Sequence, residues 1–377
     1  MEQTLTLACK LQPTAEQSLK IEGLLKAFAD ACNFANGAVK PAITSKTTIQ
    51  NMVYQELRSR FGLSANQAVR VCARVGANRK TAKIKGEPVK AFKPTSADYD
   101  ARIFAFREKD WSVSLTLLDG REHIKLDVGN YQRGKLKGRK PTSAQLCKHR
   151  DGSFYIHIQL TDEAPEPSEP TKVIGVDFGR REIAKTSTGK GWDGSQLNAV
   201  RDKFSRVRAS VQKRASQGTR SSRRSCRKLL KRLSGKEQRF QSWVNHSISA
   251  AIVREAKKLN AAVAIEDLAG IRERTNQQPR NKTERRRSNN WAFFQLRNFL
   301  EYKCIREGLK LVVVNPRYTS QTCHCCLHIG LRTEKRFTCG HCGWHGDADL
   351  NGSLVISLLG ESVTLARSSG FLACQVA

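Results

Sequence analysis

The stretch KVIGVDFG, residues 172–179, decides how this chain is read. Its apolar run predicts a buried strand that carries one acidic residue, Asp177, toward its end. Downstream, EIAKTSTG (182–189) reads as the hairpin partner and GWDGSQL (191–197) as a candidate third strand. Residues 198–259 read as helical, with Val244, Ile248, Ala251, Ile252 and Leu259 marking an amphipathic stripe. AAVAIE (261–266) is a second buried strand and ends in Glu266. A polar, arginine-rich loop runs on to Asn290. Then come a helix from Trp291 to Glu307, the strand LKLVVV (309–314), a cysteine cluster, and a helix from about Ala348 to Leu359 that opens on Asp349.

Strand with Asp, hairpin strands, helix, strand with Glu, helix, strand and a final helix with Asp is the layout of an RNase H-like sheet. In that layout neighbouring strand ends and one helix start bring carboxylates from distant segments to a common edge. Three such groups, Asp177, Glu266 and Asp349, are the ligand set a nuclease needs to hold two divalent ions ~3.5–4 Å apart. Hard carboxylate oxygens point to magnesium, with manganese as the alternative. Each acid taken alone is an ordinary solvated strand end. Two positions have competitors: Asp267 follows Glu266, and Asp347 precedes Asp349, so the pleat and the helix start must choose between them. Glu266 and Asp349 are the chosen ligands, and Asp347 is given a capping role.

Five of the twelve cysteines crowd into residues 323–342, while Cys9, Cys32, Cys72, Cys147, Cys226, Cys304 and Cys374 are scattered singly. That distribution fits reduced thiols plus one metal site rather than a disulfide framework. Cys323-x2-Cys326 and Cys339-x2-Cys342, separated by 12 residues, form two knuckles able to share one tetrahedral S4 site. Zinc is the natural occupant, in a structural role, because four thiolates leave no open position. Cys325 is the alternative ligand, but using it breaks the paired spacing. Ordinary buried thiols are the bland reading.

The chain has 377 residues, with 66 Lys+Arg against 34 Asp+Glu and a formal charge of +32. Its length fits two or three domains. The charge predicts a polyanionic partner, nucleic acid first. Positions 201–239 alone hold 15 basic and 2 acidic residues, and Tyr131–Pro141 carries five basic residues and no acid, as a backbone-contacting hairpin tip would. One such run alone reads equally well as a solvated face. Trp192, Phe204, Trp243 and Trp291 lie near basic clusters, where an aromatic can stack on bases, but residues of this kind are more often core, and core is the reading taken. No apolar run approaches a membrane span, and the start MEQTLTLACKLQP lacks signal-peptide regions, so a cytoplasmic protein is expected, nucleoid-associated when on DNA.

Residues 1–13 read as the first strand of a small β-barrel, 14–87 as a helical insert, and 88–161 as the rest of the barrel. Predicted strands there are 103–106, 112–118, 123–128 and 153–160. The acidic, proline-rich segment 162–171 reads as a linker. A nuclease domain then spans 172–318 and 346–360 around a zinc ribbon at 319–345, and 361–377 is a C-terminal tail.

At these residues the chain resembles the TnpB family, transposon-encoded RNA-guided endonucleases whose RuvC nuclease domain is interrupted by a zinc ribbon. The shared motifs stand as Gly175-Val176-Asp177-Phe178-Gly179, Ile265-Glu266-Asp267-Leu268, Thr319-Ser320-Gln321-Thr322-Cys323, Cys339 to Gly343, and Asp347-Ala348-Asp349-Leu350-Asn351. The resemblance covers residues 171–360, and it extends more loosely to a wedge-like barrel with a helical recognition insert. It implies that Asp177, Glu266 and Asp349 bind magnesium and cut double-stranded DNA, guided by an RNA held on the basic surfaces and after recognition of a short flanking DNA motif. Type V CRISPR effectors share this nuclease domain. Two positions depart from the family pattern: Leu327 stands where glycine is usual after the first CxxC, and Gly352 where alanine is common. The competing functions are an unguided RuvC-like or transposase-type enzyme acting on branched or mobile-element DNA, and a non-cleaving RNA-guided repressor. A repressor is expected to have lost a carboxylate, and none is lost.

Overall fold

The computed structural model describes residues 2–270 and 292–365. The basic segment 272–287, Trp291 and the tail beyond residue 365 lie outside them. The chain divides into two compact units between Glu163 and Ala164.

In the first unit, β1 (Glu2–Gln12) runs into three helices, α1 (Ala15–Ala38), α2 (Lys46–Phe61) and α3 (Ala65–Lys85). Thr14 and Ser64 open α1 and α3 with capping boxes closed by Gln17 and Gln67, which satisfy the free N–H groups of each first turn. The α1 stripe Ile21, Leu25, Phe28 and Cys32 is buried. The chain then adds β2 (Ser96–Asp100), β3 (Phe104–Arg107), β4 (Ser112–Leu117), β5 (Gly120–Asp127), α4 (Asn130–Leu136), β6 (Ser143–Lys148) and β7 (Phe154–Glu163).

These strands form one seven-stranded antiparallel sheet in the order β2-β6-β7-β1-β5-β4-β3. Its edge strands β2 and β3 are separated by only the turn 101–103, so the sheet must curl until its edges nearly meet. The Tyr99 hydroxyl donates to Thr116 O at 3.1 Å and ties β2 to β4 across that seam. On α3, Arg70 and Arg74 pair with Asp100 and Asp98 of β2, covering an edge that would otherwise offer free backbone groups.

Two expectations change here. Strands β2 and β6 exist where none is predicted. The basic segment 131–141 is not a hairpin tip: β5 and β6 are not neighbours, the segment crosses between them, and most of its first half is α4.

The second unit opens with β8 (Lys172–Asp177), β9 (Glu182–Thr186) and β10 (Gly191–Asp193), then α5 (Ser195–Gln217), α6 (Arg220–Leu233) and α7 (Lys236–Lys258). After β11 (Ala261–Glu266) come α8 (Phe293–Arg306), β12 (Leu311–Val314), the short strands β13 (Leu331–Thr333), β14 (Arg336–Thr338) and β15 (His345–Asp347), and α9 (Ala348–Thr364). The main sheet runs β10-β9-β8-β11-β12, antiparallel across β10, β9 and β8 and parallel across β8, β11 and β12.

Alternation sorts the β8 and β11 side chains onto two faces. Ile174, Val176, Val263 and Ile265 pack with Ile248, Ile252, Leu296 and Leu300 of α7 and α8. Val173, Ala262 and Ala264 pack on the other face with Ile356 of α9. Helix α9 lies almost flush on that face, because Gly175 and Gly360 have no side chain to hold it off. A Cβ at Gly175 would fall 2.0 Å from Ser353 O, and one at Gly360 would fall 2.6 Å from Ala264 Cβ. Among the described residues no helix is long and apolar enough to cross a membrane.

Candidate active site and metal centre

Asp177 follows Val173 and Gly175 on the α9 face of β8, and Glu266 follows Ala262 and Ala264 on the same face of β11. Val176 pairs with Ile265 in the parallel ladder, so Asp177 and Glu266 are side by side on adjacent strands, ~4.8 Å apart along the hydrogen-bonding direction. Asp349 stands in the first turn of α9, and a Cβ at Gly352 one turn on would lie 3.3 Å from Asp177 Oδ2. The three acids are thus drawn to one edge of the sheet. The competing acids point elsewhere: Asp267 pairs with Arg297 of α8 at 2.8 Å, and Asp347 caps α9 by accepting from Leu350 N at 2.7 Å.

The electrostatics follow from that crowding. Burial, reinforced by the charges of Glu266 and Asp349, pushes the Asp177 carboxyl up to about 8. Burial also raises Glu266, against the opposing pull of a hydrogen bond from the Thr319 hydroxyl and of the Arg332 charge. Arg332, on β13, donates to Asp349 Oδ1 at 2.7 Å, and Lys335 lies 3.9 Å from Asp349 and 3.4 Å from Glu182. Buried carboxylates that resist sharing negative charge, with hard oxygens as donors, fit a divalent cation.

Sequence reasoning did not single out Arg332, Lys335, Glu182 or Thr319 for this cluster. Arg332 and Lys335 sit around three-residue strands whose periodicity carries no signal. Thr319 stood in a quoted motif, but without a role.

The four proposed cysteine ligands converge. Their Sγ atoms all lie within 4.8 Å of one another, with Cys323 to Cys342 at 3.6 Å and Cys326 to Cys339 at 3.5 Å. A tetrahedral zinc with Zn–S of ~2.3 Å requires S···S separations of about 3.8 Å, so the donors fit the ion. The backbone N–H groups of Cys342 and His341 draw the Cys339 thiol down to about 6, toward the thiolate a metal needs. Cys325 takes no place among the four, and its Sγ lies 3.3 Å from His324 Nε2.

Buried Asn351 joins the two centres. Its side-chain oxygen accepts from His324 N at 3.1 Å, and its amide donates to Thr322 O at 2.7 Å, so the first knuckle is pinned to α9.

Of the aromatics read as core, Trp192 packs against the sheet's larger core, but Trp243 is 64% exposed and stacks on Phe240 at 6.0 Å.

Two family models match the chain, one described as "Probable transposase" over residues 155–272 and one as "Cas12f1-like, TNB domain" over residues 293–356. A TnpB-like protein of Methanocaldococcus jannaschii is 33% identical over 174 residues, which are 46% of this chain and 60% of that protein. The CRISPR-associated endodeoxyribonuclease Cas12f1 of Syntrophomonas palmitatica is 25% identical over 256 residues, 64% of this chain and 48% of that one. The chain therefore matches about half to three fifths of the length of these curated relatives. Among solved structures, Cas12f1 in its complex with sgRNA and target DNA superposes with a TM-score of 0.64 at 14% identity, over 91% of this chain and 83% of that one. The mini-RNA-guided endonuclease CRISPR-Cas phi3 gives 0.56 at 10% identity, over 95% and 92%. At those identities the two superpositions establish a shared fold. The motifs at 175–179, 265–268 and 319–351 stand on that fold, inside the stretches that the two family models match, so over these segments the chain is similar to TnpB-like proteins.

Proposed function

We propose that this chain is an RNA-guided DNA endonuclease that hydrolyses phosphodiesters at Asp177, Glu266 and Asp349. The observation that carries the reading is the gathering of one carboxylate from each of β8, β11 and α9 at one sheet edge, where burial and then the charges of Glu266 and Asp349 raise the Asp177 carboxyl. The antiparallel hairpin β8–β9, continued by parallel β11 and β12 with α9 across one face, supports an RNase H-like, RuvC-type domain.

Magnesium bound there would polarise the scissile phosphate, activate a water and stabilise the leaving 3′ oxygen. The chain's own residues do the positioning. Thr319 orients the Glu266 carboxylate, and Arg332 and Lys335 supply cationic donors beside the acids. The four cysteines hold zinc in a structural role and fix the ribbon that carries Arg332.

Guide RNA and double-stranded DNA are the partners that suit the charge. Helix α6 (RSSRRSCRKLLKRL) has no buried residue and presents seven of the basic side chains in 201–239. In guided systems base pairing reads the target while protein cations track the backbone and a short flanking motif is read directly.

The test is to purify the chain with its bound RNA, sequence that RNA, and reprogramme it against a plasmid. Asp177→Ala is expected to abolish cutting while leaving RNA binding intact. Undiminished cleavage by that variant would rule out this site, and cutting that ignores the guide sequence would favour an unguided nuclease.

A further inference from the structure

We propose that Tyr318 and Arg317 form a stacking platform for an unpaired base of the DNA strand being cut, beside the phosphodiester that the acids address. The proposal rests on the reading of Asp177, Glu266 and Asp349 as a nuclease centre and adds to it a contact with the substrate. Parallel strands β8, β11 and β12 end at one sheet edge, with Glu266 paired to Val314 in the last rung of the β11–β12 ladder. From Val314 the chain runs through Asn315, Pro316 and Arg317 to Tyr318. The next residue, buried Thr319, gives its hydroxyl to the Glu266 carboxylate. Tyr318 is therefore one peptide away from a residue that touches the acids, yet it is itself 54% exposed.

The backbone of Tyr318 is held at φ +65°, in the left-handed region that glycine fills without cost and that strains an aromatic residue. Strain of this kind persists where the surroundings over-determine it, and it collects at functional sites. Here Tyr318 O accepts from Gln321 N, Thr322 N and the Thr322 hydroxyl, each at 2.9 Å, and Arg317 N donates to Asn315 Oδ1 at 3.0 Å. The turn itself asks only for a positive φ, which glycine supplies with no side chain, so the exposed ring answers a demand other than the turn. A ring on a fixed pedestal loses little further freedom when a base stacks on it. The exposed Arg317 guanidinium lies over the ring, 5.3 Å from its centroid, and sets a cation where the strand's backbone would pass. Every base has a face that tyrosine can stack on, so the platform reads no sequence. Bases inside a duplex are already stacked on one another and closed to it, so it favours a strand that has left its duplex.

The test compares the affinities of two DNA strands of about eight nucleotides, one of thymidylate and one with every base removed. The protein is the full-length chain freed of nucleic acid and carrying Asp177→Asn so that neither strand is cut, at raised salt to weaken phosphate contacts. Surface cations bind both strands alike, because phosphates are common to them. This parent should bind thymidylate about tenfold more tightly than the abasic strand, and Tyr318→Phe should keep that ratio. Tyr318→Ala and Tyr318→Gly should reduce it to about twofold or less. Tyr318→Gly releases the backbone strain and should melt no lower than the parent, so its lost preference is not a lost fold. A parent ratio near one, or a ratio unchanged in both the alanine and glycine variants, overturns the platform. Guided plasmid cleavage with Asp177 restored tests the nuclease reading separately: if nothing is cut while the ratio still depends on Tyr318, the strand contact stands and the nuclease reading falls.

Discussion

Gly175→Ala should damage this protein far more than its size suggests, and the reason can be worked from the contact it meets. The new Cβ would lie 2.0 Å from Ser353 O and 2.4 Å from Ser357 N, both backbone atoms of α9 that no rotamer change can move aside. Ordinary C···O contacts begin at ~3.3 Å, so the helix must retreat by roughly 1 Å. The retreat stretches the hydrogen bond from the Ser357 hydroxyl to Val173 O, now 2.7 Å, and opens the seat of Gly360 on Val173 and Ala264. Overpacking of ~1–3 kcal/mol together with a lost buried hydrogen bond puts the total at roughly 3–4 kcal/mol. In a unit of this size that lowers the melting temperature by roughly 6–15 °C. Asp349 rides on the same helix, so activity measured below the transition should fall by ~10²-fold, as displacements of about 1 Å do. Gly352→Ala on the same helix is the control. Its Cβ meets only the Asp177 carboxylate, at 3.3 Å, and alanine gains ~1 kcal/mol of helix propensity, so its melting temperature should stay within a few degrees of the parent. Thermal denaturation and magnesium-dependent plasmid cleavage, run side by side, decide the matter. A Gly175→Ala protein with the parent's melting temperature and rate, or a Gly352→Ala protein equally impaired, would refute the account of α9 as a helix seated on bare backbone.

Asp177 gives a pH dependence with a definite sign: burial and its acidic neighbours raise its folded value to about 8 from an ordinary 3.8, so the fold keeps a proton the unfolded chain has released. Without added magnesium or manganese, stability should therefore fall as pH rises from about 4 toward about 8. Asp177→Asn should flatten that slope in melting curves, and an unchanged slope would exclude Asp177 as its source. Leu327, at φ +63°, occupies a left-handed position that costs a branched side chain ~1–2 kcal/mol. Leu327→Gly should thus raise the ribbon's resistance to unfolding by about 0.5–1 kcal/mol, read by denaturant titration, with no gain counting against strain at the knuckle. Buried Arg79 spends all five N–H donors on Asn36, Val39, Lys40 and Ile43 around the end of α1. Arg79→Met should cost at least ~3 kcal/mol by stranding those acceptors, and Arg79→Lys should rescue little, because one ammonium lacks the guanidinium's fork. A lysine variant as stable as the parent would show that the network is not needed.

The elements legible in the sequence are those whose burial leaves a local trace. KVIGVDFG and AAVAIE announce themselves because both faces of β8 and β11 are covered, and the α1 stripe because one face is. Strands β2 and β6 leave almost no trace. SADYD and SAQLCK bury only Ala97, Tyr99, Ala144 and Leu146 between polar neighbours, and they become strands because the curling sheet and α3 supply partners. The acids at 177, 266 and 349 could be nominated from strand and helix ends. The choice of Glu266 over Asp267 follows from a pleat that puts Ala262 and Ala264 against α9, a fact of tertiary packing. Arg332 leaves no trace for the same reason, since its meaning lies in a ribbon strand whose side chain meets Asp349, 17 residues further along the sequence.

Asp347 is at once the last residue of β15 and the cap of α9, so nothing flexible separates the cysteine-bound ribbon from the helix bearing Asp349. An α-helix turns ~100° with each residue. Inserting or deleting a single amino acid between His345 and Asp349 would therefore swing that carboxylate a quarter turn or more away from Asp177, while every cysteine kept its place. The joint acts as a phase-setting gear: the count of residues across it fixes the angle at which Asp349 leaves the ribbon.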